Sequence, residues 1–251
     1  MNDNIKEFSC TYFLTAGECN PSKEMPLSLV VSRLIEVATI HANSWGAGYA
    51  KLVGDDQCWV LSRVTVEMKR YPKVNEEYTF VTWIEDYNRY FSQRNFAILD
   101  YNGEEIGYLR TIWVVINNST RDMVAISKLS YICDKISKRL CPIEPQSRLG
   151  RVDGREGFYK FRYTDTDINR HVNSVKYVEL LMNQWDFHFY DKYMIKRFEI
   201  AYIKECLYGM EAKVAVDDGA DGLDAHLEIS TKVNDVETIH CRGRLVFEER
   251  E

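Results

Sequence analysis

Hydrophobic and polar positions along the chain form two series of elements in the same order. Residues 27–45 are apolar on nearly every side of a helix, which predicts a helix enclosed by other structure and ended by Gly46 and Gly48. Alternating, partly β-branched segments follow and predict strands at 59–69, 77–85, 91–100 and 107–117. Another strand is predicted at 8–16, and Asn102-Gly103 predicts a tight turn in a hairpin.

The second half of the chain repeats this order. It predicts a helix at 174–190 and strands at 157–164, 196–202, 211–216, 225–233 and 238–247. A shift of 134 positions places Arg197 on Arg63, Glu211 on Glu77 and Arg244 on Arg110. Because the elements repeat in order, the chain is predicted to be an α+β protein of two similar units, each a helix against antiparallel strands.

The two series are separated by a segment of different composition. Pro142, Pro145, Gly150 and Gly154 occur there among mixed charges, which predicts a linker with a short helix around 131–139. The predicted organisation is therefore a first domain at 1–130, a linker at 131–156 and a second domain at 157–251.

Composition narrows the class of protein. The apolar fraction of 45% in 251 residues supports a sizeable core, and no apolar run has the length of about 18 residues that suggests a membrane span. The first residues contain neither a basic nor an apolar leader, so a cytoplasmic, bacterial protein is expected. A net charge of −6 without a Lys/Arg stripe argues against nucleic-acid binding.

The seven cysteines are scattered, and no Cys-x-x-Cys occurs. Reduced thiols are therefore expected, rather than a disulfide framework or a zinc site. Phosphate-loop, dinucleotide, Gly-x-Ser-x-Gly and His-Glu-x-x-His motifs are also missing from the sequence. We therefore expect neither a metal nor another cofactor.

Polar residues with catalytic potential alternate just before the second predicted helix: Asp165, Asp167, Asn169, His171 and Asn173. Asn173 is predicted to cap that helix, whose first N–H groups can hold an anion or polarise a carbonyl. Histidine side chains exchange protons near neutral pH, so His171 is the candidate acid or base. The other four histidines are interpreted as structural: His41, His188, His226 and His240.

Three segments carry a resemblance to a known family. They are the run from Asp167 to Asn173 with its following Lys-Tyr-Val helix, the Glu205-Cys206 pair 34 positions after His171, and the strand from Trp59 that ends in Arg70-Tyr71-Pro72. Together they resemble the acyl-acyl carrier protein (ACP) thioesterases of plants and bacteria.

The resemblance implies a tandem (double) hotdog fold, two helices each wrapped by a curved antiparallel sheet. It also implies hydrolysis of fatty acyl-ACP to free fatty acid. The residues that it implicates in catalysis are Asp167, Asn169, His171 and Glu205, with the role of Cys206 undecided.

Two routes to the thioester remain open at the sequence level. Cys206 could attack directly in a Cys–His–Asn arrangement, or Glu205 or Asp167 could activate a water. A carboxylate beside a thiol disfavours the thiolate, so we prefer the water route. The first half has no Asp-x-Asn-x-His before its helix, so chemistry is expected from the second unit, with the first supplying the acyl-chain pocket.

Alternatives remain for the partner and for the activity. Basic residues near the candidate site predict a docking patch for acidic ACP or simply a solvated surface: Arg170, Lys176, Lys192, Lys196, Arg197 and Lys204. An acyl-CoA thioesterase, a non-catalytic acyl-thioester-binding protein and a hotdog dehydratase are the competing functions. The oligomeric state is expected to be a monomer or a homodimer.

Overall fold

The computed structural model describes residues 6–128 and 135–250. The chain divides into two compact units, Met1–Pro145 and Gln146–Glu251. The predicted linker at 131–156 includes the boundary between them. Part of its predicted helix at 131–139, together with Cys133, lies outside the described residues.

The first unit combines two helices with an antiparallel sheet. Its elements are β1 (Glu7–Phe13), α1 (Leu27–Ser44), α2 (Tyr49–Gly54), β2 (Gln57–Met68), β3 (Glu77–Tyr87), β4 (Phe91–Asp100), β5 (Glu105–Asn117) and β6 (Met123–Val124). The strands pair antiparallel in the order β1-β3-β4-β5-β2, and β6 adds to β5. Gly103 in the β4–β5 turn has φ +81°, which explains the predicted Asn-Gly hairpin there.

Helix α1 packs its buried stripe against the sheet of its own unit. Val30, Val31, Leu34 and Val37 are fully buried at helical spacing, whereas Ile40 is 39% exposed. Most other positions of the helix are partly buried, and its exposed positions lie in the last two turns. Pro26 precedes α1 and supplies no side-chain cap. Among the described residues, no helix is both long enough and apolar enough to cross a membrane.

The second unit repeats the arrangement. Its elements are β7 (Arg155–Lys160), α3 (Ser174–Met182), α4 (Phe187–Lys192), β8 (Tyr193–Tyr202), β9 (Glu211–Asp217), β10 (Asp224–Val233) and β11 (Val236–Glu249). The strands pair antiparallel in the order β7-β9-β10-β11-β8. Both units thus place corresponding strands at corresponding positions, as the 134-residue repeat predicts.

The structure differs from the predicted elements in several places. The strand at 8–16 ends at Phe13, and the strand at 157–164 ends at Lys160, because a 3-10 turn follows each strand at Ala16–Glu18 and Tyr163–Asp165. Helix α2 was not predicted.

The predicted helix at 174–190 is interrupted after Met182. Trp185 instead packs edge-on against Phe247 with ring centroids 4.9 Å apart, and Asp186 caps a new helix by accepting from Phe189 N–H.

Candidate active site

The loop before α3 is held by a buried carboxylate. Asp165 is only 4% exposed, and its Oδ2 accepts hydrogen bonds from the Tyr159 hydroxyl at 3.0 Å and from Arg162 N–H at 2.7 Å. Its backbone carbonyl accepts from Asn173 N–H at 2.8 Å. Sequence reasoning left Asp165 without a role, although its place in the alternating polar series was the available signal. Its contacts fix where the loop begins and where α3 starts.

Asp167 organises the next turn of the loop. Its Oδ1 accepts from Asn169 N–H at 2.8 Å and from His171 N–H at 3.1 Å, and its own N–H donates to the His171 carbonyl at 2.8 Å. Arg170 adopts a left-handed conformation with φ +64°, which lets the chain turn back. The Asp167 carboxylate therefore fixes the position of the His171 backbone.

A second segment, which follows β8, lies beside this loop. Val172 N–H donates to the Cys206 carbonyl at 2.9 Å, and His171 pairs antiparallel with Leu207. This pairing brings the side chain of Glu205 to His171, with Nδ1 and Oε1 3.5 Å apart. The two side chains remain 26% and 39% exposed, so solvent has access to both.

Cys206 lies on the buried side of the same segment. It is fully buried, and its N–H donates to the Tyr177 hydroxyl at 2.8 Å. Burial raises the pKa of the Cys206 thiol to about 11, despite an opposing hydrogen bond with Tyr177. At neutral pH the thiol therefore stays protonated. Tyr177, on the buried face of α3, is a contact that the sequence analysis did not anticipate.

The two asparagines of the loop differ in their surroundings. Asn173 caps α3, its Oδ1 accepting from Val175 N–H at 2.9 Å, which confirms the predicted N-cap. Asn169 lies on the exposed part of the loop, and its N–H is held by Asp167. The geometry thus assigns Asn173 to helix formation and leaves the Asn169 amide at the surface of the site.

Half of the predicted basic patch is engaged with glutamates. Lys176 pairs with Glu179 at 2.7 Å, Lys196 with Glu248 at 3.0 Å, and Arg197 with Glu199 at 2.8 Å. The remaining three side chains are exposed: Arg170, Lys192 and Lys204.

The described cysteines are all free thiols: Cys10, Cys19, Cys58, Cys141, Cys206 and Cys241. Across residues 6–128 and 135–250, no group of three His, Cys, Asp or Glu side chains is arranged to hold a metal ion. The candidate site consists of the loop at 163–173 and the segment at 203–208, which the His171–Leu207 pairing brings together.

Two tandem units, each of helix and antiparallel sheet, define a double hotdog protein. In the second unit Asp167 and His171 precede the helix, and Glu205 lies beside His171. The sequence profile of the acyl-ACP thioesterase N-terminal domain matches residues 5–132, and that of the C-terminal domain matches residues 152–248. The chain belongs to the acyl-ACP thioesterase family.

Solved structures agree with the fold prediction. An acyl-ACP thioesterase from Bacteroides thetaiotaomicron is 31% identical, with a TM-score of 0.88, and the match covers 99% of this chain and 100% of that one. A 12:0-ACP thioesterase from Umbellularia californica has the same fold, with a TM-score of 0.82 at 20% identity over 98% of this chain and 95% of that one. The double hotdog fold is thereby confirmed.

Plant sequences give more distant relatives. A chloroplastic acyl-[acyl-carrier-protein] hydrolase of Cuphea viscosissima is 25% identical over 237 residues, which cover 86% of this chain and 56% of the plant protein. A chloroplastic palmitoyl-acyl carrier protein thioesterase of Arabidopsis thaliana is 23% identical over 220 residues, 79% of this chain and 52% of that protein. The chain thus spans about half the length of these relatives.

Proposed function

We propose that the protein hydrolyses the thioester between a fatty acyl chain and ACP and releases the free fatty acid, which ends chain elongation. The observation that carries the proposal is the 3.5 Å approach of Glu205 to His171 at a solvent-accessible loop. The family and the 31% identical Bacteroides acyl-ACP thioesterase support the same reaction.

In the proposed reaction a water molecule attacks the thioester carbonyl carbon. Glu205 and His171 together accept a water proton as the new C–O bond forms. The first turn of α3 and the Asn169 amide stabilise the negative charge on the carbonyl oxygen. When the intermediate collapses, the C–S bond breaks and His171 returns the proton to the departing thiolate. The products are a fatty acid and the free thiol of the carrier, so atoms and protons balance.

The surroundings of Cys206 support water as the nucleophile. A thiol whose pKa is raised to about 11 is almost wholly protonated at pH 7, and only the thiolate is strongly nucleophilic. Its side chain is also fully buried, away from the exposed edge formed by Glu205 and His171. We therefore assign Cys206 to packing beside Tyr177 and not to bond formation.

The carrier is proposed to dock on the exposed rim of the site. Four cations near the two site segments are exposed: Lys160, Arg162, Arg170 and Lys204. Apolar side chains beside them are also unusually exposed, with Tyr163 at 83%, Ile168 at 76% and Tyr208 at 68%. A basic and apolar rim on a chain of net charge −6 suits an acidic protein partner.

The choice of carrier is tested with one acyl group presented on ACP, on CoA and on a short pantetheine thiol. Products are identified as fatty acids by gas chromatography. We expect turnover of all three, with the highest kcat/KM on ACP. Turnover of the CoA thioester alone would show that CoA, and not ACP, is the carrier. Binding of the thioester without hydrolysis would indicate a binding protein. Loss of water from hydroxyacyl thioesters would indicate a dehydratase.

Charge reversal separates docking from chemistry. Arg170→Glu and Lys204→Glu should raise KM for acyl-ACP and leave KM for the pantetheine thioester unchanged. Lys138→Glu, at an exposed position in the first unit and outside the two site segments, is the control. Equal effects of all three variants on acyl-ACP would contradict this docking surface.

The cellular compartment and the preferred acyl-chain length are also part of the proposal. We place the reaction in the bacterial cytoplasm, as for a bacterial counterpart of the chloroplastic plant enzymes.

The acyl-chain pocket assigned to the first unit stays a prediction. The test uses acyl-ACP substrates of graded length with core variants of α1 such as Val37→Phe. Such a variant should shift the preferred acyl-chain length towards shorter chains.

A further inference from the structure

His240 is an additional residue inserted into the β10–β11 ladder. Ile229 pairs with Cys241 and Ser230 pairs with Ile239, so His240 has no partner in the register and forms a β-bulge. The side chain is 2% exposed, and it lies where β8 ends, since Tyr202 is the partner of Cys241. Bulges commonly redirect a side chain or the neighbouring backbone near a functional site.

The imidazole of His240 connects β10 with the segment that follows β8. Its Nδ1 lies 3.0 Å from the Lys204 carbonyl oxygen, and its Nε2 lies 2.8 Å from Thr231 Oγ1. A carbonyl can only accept, so Nδ1 carries the proton and donates to Lys204. In the neutral ring Nε2 is then the acceptor for the Thr231 hydroxyl. Burial lowers the pKa of His240, which favours this neutral form.

The backbone of His240 holds the same segment. Its carbonyl accepts from Ile203 N–H at 2.8 Å and from Lys204 N–H at 3.2 Å. Lys204, the residue before Glu205, is therefore held through its N–H by the backbone and through its carbonyl by the side chain of one buried residue. On the other side of Glu205, the Cys206 carbonyl is held by Val172 N–H at 2.9 Å.

We propose that His240 is a positioning residue, which fixes the Lys204 carbonyl and through it holds the Glu205 carboxylate opposite His171. This inference rests on the proposed function, in which Glu205 and His171 handle the proton of the attacking water. A misplacement of about 1 Å in such a pair can lower the rate by about 100-fold. His240 touches neither the substrate nor the reacting atoms.

Two amide substitutions separate the two ends of the ring. In His240→Asn the amide nitrogen replaces Nδ1 and still donates to the Lys204 carbonyl, whereas in His240→Gln the amide oxygen replaces Nε2 and keeps only the bond from the Thr231 hydroxyl. We expect His240→Gln to lower kcat by about 10- to 100-fold at unchanged KM, and His240→Asn to restore most of it. If both variants lose activity only in proportion to their melting temperatures, or if His240→Gln keeps full kcat, the proposal is overturned.

Crystal structures of the variants test the inference independently of activity. The distance from Glu205 Oε1 to His171 Nδ1 should exceed 3.5 Å in His240→Gln and be preserved in His240→Asn. An unchanged distance in His240→Gln overturns the positioning role, whereas an inactive wild-type protein with the expected distances overturns only the proposed function. If His240→Gln fails to fold, His240→Leu takes its place. Because leucine is apolar and of similar size, it removes the bond to the Lys204 carbonyl, so it should lower kcat at unchanged KM, and full kcat would refute the role.

Discussion

His171 Nδ1 lies 3.5 Å from Glu205 Oε1, although the two residues are 34 positions apart in the chain. The antiparallel pairing of His171 with Leu207 creates this approach, and the Val172 to Cys206 hydrogen bond reinforces it. Both side chains remain partly exposed. A carboxylate and an imidazole therefore meet at a place that solvent can reach.

Glu205→Gln should lower kcat by on the order of 100-fold or more, because the variant keeps the size of the side chain but removes its basicity. Its melting temperature should stay at the wild-type value, since the carboxylate is 39% exposed. Glu179→Gln is the matched control, because Glu179 is also 39% exposed and is paired with a charged side chain, Lys176. Steady-state hydrolysis of one acyl thioester by both variants makes the comparison. Similar kcat values for the two would rule out the proposed base.

Cys206→Ala should retain most of the wild-type kcat and lose about 1 kcal/mol of stability, because a buried thiol is removed. Cys241→Ala removes another fully buried thiol and serves as the control. Since the pKa of Cys206 is raised to about 11, iodoacetamide at pH 7.5 should not alkylate that thiol in the folded protein. Peptide mass spectrometry measures the modification. Activity abolished in Cys206→Ala but kept in Cys241→Ala would restore the thiol as nucleophile.

Asp167→Ala should lower kcat by about 10- to 100-fold, because the loop loses the acceptor for the N–H groups of Asn169 and His171. Asp167→Asn retains a carbonyl oxygen at the same place, so it should recover most of the activity. Measuring kcat for the two variants distinguishes geometry from charge. An asparagine variant as inactive as the alanine variant would show that the negative charge itself is needed.

Asp224→Asn should make stability less dependent on pH. Arg244 donates to both carboxylate oxygens at 2.7 Å and holds the pKa of Asp224 below its ordinary value. This stabilisation is present above the unfolded pKa of about 4 and is lost as the pH falls through the lower folded value. The variant should therefore melt about 1–3 °C below wild type at pH 7 and together with it near pH 2.

Thermal melts monitored by circular dichroism measure the difference at each pH. Asp235→Asn provides the control, because Asp235 is 94% exposed and pairs only with Lys232. A deficit of Asp224→Asn that persisted undiminished at low pH would mean that packing, and not the ion pair, causes it.

Local signals predicted much of the fold correctly. Asn102-Gly103 requires a backbone conformation that glycine adopts easily, and β4 has the bounds predicted for it. Helix α1 begins at Leu27 as predicted, because Pro26 starts the helix and apolar residues recur at helical spacing. Such features depend on residues close together in sequence, so the sequence contains them.

Features that depend on distant residues could not be predicted in the same way. The break after α3 depends on Trp185 packing against Phe247, which lies on another element. The contact between Cys206 and Tyr177 joins residues 29 positions apart, so the local sequence around Cys206 does not contain it. The approach of Glu205 to His171 was expected from the family resemblance alone, because periodicity does not give the pairing of loops.

The two units share one strand order, yet α1 starts at a proline with no capping side chain, whereas α3 starts at Asn173 behind a polar loop. An Asp-x-Asn-x-His sequence thus precedes α3 and not α1, so the two units are not equivalent. A non-hydrolysable mimic of the tetrahedral intermediate should accordingly saturate calorimetric titrations at one molecule per polypeptide, despite the internal symmetry of the fold.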